Sequence, residues 1–302
     1  MCDTQPPAHL RCQPAAPWKQ TQAATNFLVH LRLHYQLMLA PFMLWGAALA
    51  RVKIDVRFVV ALLVLHVCMY GGTTAYNSHF DRDEGPVGGI EHPPPAGPWL
   101  LRGSLALQAL GLAVALVIGA RFFFVCLSFG VLGVVYSHPA TRWKGRPWLS
   151  WVTVIVGQGG LGTAAGLALG GSKAPITMEV ALGVAGAALL AGAVYPLTQL
   201  FQTEEDRARG DRTLAIRLGR GGTRAVAALT GACGGLVMAL SALEGGRAFD
   251  AGLFVFMAVA MVVGSLWVCQ PTNPRDVFRR ISRLQLAAAV GFGSYAAMRL
   301  LI

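Results

Sequence analysis

Nine stretches of this 302-residue chain, at 26–50, 56–79, 99–119, 121–137, 147–170, 176–202, 222–243, 249–270 and 281–301, are apolar for about twenty residues or close to it. A helix of about 20 apolar residues spans the roughly 30 Å of bilayer hydrocarbon, whereas the core helices of a soluble domain are shorter and alternate with charged faces. None of the nine alternates with period two, which excludes a transmembrane barrel. Backbone groups in lipid must be satisfied within the segment, so the expected fold is an all-α integral membrane bundle of nine helices. The composition agrees: 55% of residues are hydrophobic and only 13% charged, with mean hydropathy +0.54. The domain reading is a loose, Pro-rich N-terminal tail over 1–25, without the apolar core of a signal peptide, followed by a single domain over 26–302.

The net charge of +11 is scattered between apolar runs and forms no basic tract or stripe, so the partners it implies are membrane lipid and an anionic substrate and not nucleic acid. Of the 25 Lys and Arg residues, 17 fall in alternate polar segments that share one membrane side and six in the others, with Arg32 and Arg299 inside spans. The positive-inside rule places the richer side, and the N-terminus, in the cytoplasm. Six cysteines without a C-x-x-C pair, four of them in apolar runs, indicate packing and no disulfide or zinc framework.

Three polar clusters fall on that richer side: "NSHFDRDEG" (77–85), "RWKGR" (142–146) and "QTEEDRARGD" (202–211). Asn77 and Asp81 are four apart, as are Gln202 and Asp206, so on continuing helices each pair projects from one face, with Ser78 and Glu205 a turn from a partner. Facing helix ends rich in hard oxygen suit Mg²⁺, which takes one or two carboxylates and completes its shell with water and substrate phosphates. Lys144 and Arg146 are placed to hold the same phosphates. A lone acidic turn or a lone basic loop would be ordinary topology; two acidic loops with a basic loop between them are not, because acidic residues contribute little to orientation.

The ordered motifs resemble those of the UbiA superfamily of intramembrane prenyltransferases. "NSHFDRDEG" is similar to N-D-x-x-D-x-x-x-D, and "QTEEDRARGDRTLAIRLG" (202–219) to D-x-x-x-D-x-x-x-G-x-x-T-L-x-x-x-L-G. "HPPPAG" (92–97) stands where R-P-L-P-S-G is usual, and "YSHPATRWKGRPWLSW" (136–151) resembles Y-S/T-x-P … K-G/R … P-W. The resemblance covers residues 30–220 and implies a nine-span fold. It implies that Asn77, Asp81 and Asp206 bind Mg²⁺ and an isoprenyl diphosphate, with Lys144 and Arg146 neutralising the departing diphosphate. Three family carboxylates are replaced, by Ser78, Gly85 and Gln202; Asp83, Glu84, Glu204 and Glu205 stand near enough to substitute as metal ligands.

Below these clusters, Thr73, Tyr70 and His66 fall within about 40° of the face of Asn77 if the helix turns 100° per residue. Tyr195, Thr198 and Gln199 lie in the same way above Gln202, and Tyr136 is expected near the same pocket. His66 is either a cavity residue or a packed, hydrogen-bonded one. Arg32 with His34 resembles an early R-x-H feature of the family and suits an acidic acceptor, a phosphate or interhelical pairing. The favoured reaction is prenyl transfer to an aromatic or other lipophilic acceptor; the alternative is cyclisation of the same diphosphate with no acceptor. A transporter fits less well, since the polar clusters sit at one face and not at the midplane. Asp211, beyond the motif glycine Gly210, is expected to matter less than Asp81 and Asp206.

Overall fold

The structure is a computed structural model and describes residues 17–170, 176–270 and 273–302; all of its described regular elements are helical. Cys2, Cys12 and most of the expected tail lie outside the described residues. Among the described residues eight helices are long and apolar enough to cross a membrane, and the chain is an integral multi-pass membrane protein. We label the helices α1 Pro17–His30, α2 Leu33–Leu37, α3 Ala40–Leu49, α4 Val56–Asp81, α5 Trp99–Ile118, α6 Ala120–Ser137, α7 Pro147–Gly170, α8 Met178–Phe201, α9 Thr203–Ala208, α10 Leu214–Glu244, α11 Ala248–Val268 and α12 Pro274–Leu301. Residues 17–25, read from sequence as tail, begin α1.

The ninth expected span, 26–50, is divided among α1, α2 and α3, and α3 alone has ten residues, about 15 Å, half the hydrocarbon thickness. The causes are local. Arg32 adopts the left-handed conformation (φ 51°) between α1 and α2, and Pro41, which has no N–H to give, sits in the first turn of α3. The break frees the Leu31 carbonyl, which accepts from Gln36 Nε2 at 3.1 Å and from the Thr74 hydroxyl at 3.2 Å. Irregular backbone at membrane depth is thereby satisfied inside the protein.

Small residues bring the helices into contact. A Cβ on Gly46 would lie 1.9 Å from the Thr163 carbonyl oxygen, and one on Gly166 would lie 2.1 Å from that of Met43, so α3 and α7 meet backbone to backbone. The "GQGGLGTAAG" run thus serves packing. Around this seam the large side chains Met43, Trp45, Leu65, Met69, Tyr70, Phe122 and Met238 are fully buried, while Val117, Phe249 and Phe256 point outward as a lipid-facing surface would. α4 lies deepest in the bundle and α12 outermost. Two helices carry π-helical stretches, Val64–Gly71 in α4 and Ile155–Leu161 in α7. α10 is interrupted at Gly219 (φ 62°), which separates the membrane span, expected at 222–243, from the short helical segment after the second acidic cluster.

Candidate active site

The three polar clusters converge at one end of the bundle. α4 ends with a left-handed residue at Arg82, and this turns Asp83 back toward α9. The 3₁₀ turn Trp143–Gly145 pushes Lys144 inward until it is only 7% exposed. α9 is a single short helix whose end residue Arg209 is followed by Gly210 at φ +79°, so the chain doubles back and aims Asp211 at the 142–145 turn. Asn77, Asp81, Asp83, Lys144, Gln199, Gln202, Asp206, Arg209 and Asp211 line one polar pocket of about 80 Å³.

Most of its contacts are charge-assisted. Lys144 Nζ contacts the Asp81 carboxylate and donates to Asn77 Oδ1 at 3.1 Å; Ser137 donates to the same oxygen at 3.0 Å. Arg209 donates to Asp83 Oδ1 at 2.5 Å and to Asp206 Oδ1 at 3.3 Å. Arg142 forms a two-pronged pair with Asp211, at 2.7 and 2.8 Å. Burial pulls the Lys144 ammonium down to about 7, against the opposing pull of Asp211, and burial pushes the Asp206 carboxyl up to about 6, with Arg209 acting in the other direction.

Beneath the polar pocket lies a second cavity of about 200 Å³, which shares Asn77, Val87, Tyr136, Tyr195, Thr198 and Gln202 with it. Its walls are largely aromatic and small: Tyr35, Phe129, Gly133, Tyr136, Gly157, Tyr195, Phe201 and Phe278. It continues through Tyr35, Gln158, Tyr195 and Gln285 into an apolar pocket of about 80 Å³ between Met38, Phe42, Leu190, Val194, Met257 and Phe292. Polarity therefore falls steadily from the charged mouth to the hydrocarbon-like floor. Arg32 lines the middle cavity, 5% exposed, and donates to Ser78 Oγ at 2.9 Å. The Tyr136 and Tyr195 hydroxyls are 2.8 Å apart, where the two chambers meet. Gln199 is tied to the backbone at Ala215 N, 3.3 Å away.

Other expected positions lie elsewhere. Arg146 and Glu84 are exposed and line none of the three chambers. Glu205 faces the first motif but accepts from Gly85 N at 2.6 Å, and its carboxylate stands 2.5 Å from where a Gly85 Cβ would be. It thus fills, from the second motif, the space beside the position of a missing first-motif carboxylate. His66 and Tyr70 pack against each other in the core, Tyr70 with its ring 4.6 Å from Phe129 and its hydroxyl on the Gln158 carbonyl. Thr73 alone of that trio lines the cavity. Three residues of the site carried little weight in the sequence: Arg142, Arg209 and Asp211. Arg209 was legible from its spacing, three and four residues after Asp206 and Glu205 on one short helix.

The family model of the UbiA prenyltransferase family matches residues 39–287. No match is found among curated proteins. Among solved structures, a UbiA homolog from Archaeoglobus fulgidus bound to GPP and Mg²⁺ is 19% identical with a TM-score of 0.67, covering 90% of this chain and 99% of that one. The same homolog bound to DMAPP and Mg²⁺ gives 19% and 0.65 over 90% and 99%. A UbiA homolog from Aeropyrum pernix K1 gives 18% and 0.61 over 87% and 96%. A structure described for digeranylgeranylglyceryl phosphate synthase is 14% identical, with a TM-score of 0.62 over 92% and 99%. At these identities the likeness is one of fold.

Proposed function

The chain belongs to the UbiA prenyltransferase family, and from that premise we propose that it ionises an isoprenyl diphosphate at the polar pocket and transfers the prenyl group to an aromatic or other lipophilic acceptor in the cavity below. The observation that carries this reading is the continuity of the chambers: a mouth lined by Asp81, Asp83, Asp206 and Lys144 opens directly onto aromatic and then aliphatic walls. A diphosphate head and a hydrocarbon tail need that gradient in that order.

The donor chemistry fits an Mg²⁺ that takes few protein ligands and completes its shell on water and substrate phosphates. Among the described residues no three acidic, His or Cys side chains form a closed cage, but Asp81, Asp83, Asp206 and the Asn77 amide oxygen line one pocket, and the buried Asp83 Oδ2 has no hydrogen-bond partner. When bound there, Mg²⁺ would neutralise the charge that grows on the diphosphate as it leaves. The chain's own groups supply the rest. Lys144 is a second, fixed cation beside the leaving group, worth more in a dry site than in water. In the reaction the allylic C–O bond breaks and its electron pair leaves with the diphosphate. The acceptor then donates a pair to the allylic carbon and sheds one proton, for which the departing diphosphate is the adjacent base. The faces of Phe129, Tyr136 and Tyr195 shield the cation from water and stabilise it, at up to about 2 kcal/mol each when desolvated.

The aromatic lining also supports a second reading, in which the prenyl cation closes on itself with no acceptor. One experiment tests both. Purified protein is incubated with geranyl, farnesyl or geranylgeranyl diphosphate and Mg²⁺, and free diphosphate and organic products are measured separately. Transfer predicts little diphosphate until an acceptor is added. A cyclic terpene formed without acceptor selects the second reading, and diphosphate release unaffected by excess chelator overturns both.

A further inference from the structure

The two acidic motifs face one pocket, an arrangement that ordinarily suits a pair of divalent ions clamping one phosphorylated substrate. In this chain the space between the motifs is already crossed by a cation of its own. The Arg209 guanidinium donates to Asp83 Oδ1 at 2.5 Å and to the Asp81 carbonyl at 3.2 Å on the first-motif side. On the second-motif side it meets Asp206 Oδ1 at 3.3 Å and Glu205 Oε2 at 3.7 Å. It is held there by backbone: its own N–H bonds the Glu205 carbonyl at 3.0 Å, and the Asp211 N–H bonds that of Asp206 at 2.9 Å, fixing the end of α9. The remaining carboxylates of the pocket have other partners, Asp81 with Lys144 and Asp211 with Arg142. Among the described residues no three acidic, His or Cys side chains converge as a metal cage. Ser78, Gly85 and Gln202 moreover stand where three carboxylates of the motif pattern are absent. Fewer acids and a fixed guanidinium point the same way.

We propose that Arg209 is a built-in counterion that ties the two acidic motifs together in place of one divalent ion, so that this pocket takes a diphosphate with a single Mg²⁺ per chain. The inference rests on the diphosphate reading given above. A guanidinium contributes one positive charge where a metal would contribute two, which matches motifs that carry Ser78, Gly85 and Gln202 in place of carboxylates. Its fork reaches Asp83 and Asp206 at once.

The test counts metal ions. Wild-type protein in detergent is equilibrated with Mn²⁺ and inorganic pyrophosphate, and bound Mn²⁺ is measured by equilibrium dialysis and by electron paramagnetic resonance. One isolated Mn²⁺ per chain is expected in wild type and in Arg209→Lys, which keeps the charge. In Arg209→Gln, which releases Asp83 and Asp206, the count should double and the spectrum should show two coupled ions. Two coupled ions in wild type overturn the proposal whether or not the Gln variant folds, as does a single ion in a folded Gln variant. A wild-type protein that retains neither pyrophosphate nor Mn²⁺ overturns the diphosphate reading itself, and this inference with it.

Discussion

Asp211 stands outside the motif positions, yet its replacement should cut activity, through Lys144. The Asp211 carboxylate holds both prongs of Arg142 at 2.7 and 2.8 Å, and the adjacent Arg212 N–H bonds the Gly145 carbonyl at 3.0 Å. The 142–145 turn that presents Lys144 is therefore clamped from the second motif. Asp211→Asn removes the charge, keeps one acceptor and turns an amide donor toward a guanidinium. A hydrogen bond to a charged group contributes about 1.5–3 kcal/mol. Because the Arg142 side chain is 26% exposed and can partly rehydrate, the lower part of that range applies. About 1.5–2 kcal/mol corresponds to a loss of about 10- to 30-fold in kcat/KM for diphosphate release. Gly145→Ala should act similarly, since its Cβ would fall 2.6 Å from Asp211 Oδ1. The double variant Asp211→Asn with Arg142→Gln should lose much less than the sum of the two single losses, because both break one pair. Activity of Asp211→Asn within twofold of wild type, or full additivity in the double variant, would refute the clamp.

Asp81→Asn and Asp206→Asn should each lower kcat/KM by about 100-fold or more, the first because it also leaves Lys144 buried without its carboxylate, while exposed Glu84→Gln stays near wild type; initial rates of diphosphate release decide this. Asp206, raised to about 6 by burial, must be ionised and Lys144, lowered to about 7 by burial, must be protonated. The kcat/KM profile should therefore rise through about pH 6 and fall at or above about pH 7, and Lys144→Arg should erase the alkaline limb; a wild-type profile flat between about pH 5 and 9 contradicts it. Cysteines at exposed Glu84 and Arg207 should label only from the cytoplasmic side of intact cells, and external labelling of both would reverse the orientation. Tyr70→Phe, which loses the bond to the Gln158 carbonyl, should cost about 1 kcal/mol of stability in a thermal melt and leave kcat close to wild type; a large fall in kcat with unchanged stability would put Tyr70 in the cavity after all.

Much of the site was legible because its polar residues are so poorly suited to their surroundings. Asp81, Asp206 and Lys144 stand out at the ends of apolar runs, and a bilayer tolerates such groups only where they meet one another. Eight spans were legible for the same physical reason, the fixed thickness of the hydrocarbon. The division of 26–50 was less so. Its apolar composition reads as one helix, and the signals against that reading are three isolated residues: Arg32, Gln36 and Pro41. Their partners, Ser78, Thr74 and the freed carbonyl of Leu31, are known only once α4 lies alongside. Arg146 and Glu84 fall outside the chambers through neighbouring register: two positions around a short turn separate the buried Lys144 from the exposed Arg146, and one position separates Asp83 from the exposed Glu84.

His66 and Tyr70 show where the extrapolation along a helix fails. Counting 100° per residue back from Asn77 assumes α geometry, but residues 64–71 bond from i to i+5, and each such residue winds through a smaller angle. The error accumulates with every π residue crossed. Thr73, on the near side of the stretch, still faces the cavity, whereas Tyr70 and His66, within it, turn into the core. The π stretch of α7 lies opposite, and its Gln158 carbonyl receives the Tyr70 hydroxyl at 3.2 Å while Gly157 and Gln158 line the middle cavity. The two widened stretches thus brace each other immediately behind the aromatic chamber. A departure from α geometry costs hydrogen-bond quality, and here the chamber wall beside the stretch is made of Thr73, Gly133 and Gly157, with the two bulky rings packed behind it in the core. The room in the aromatic chamber follows from helix geometry that no residue pattern announces.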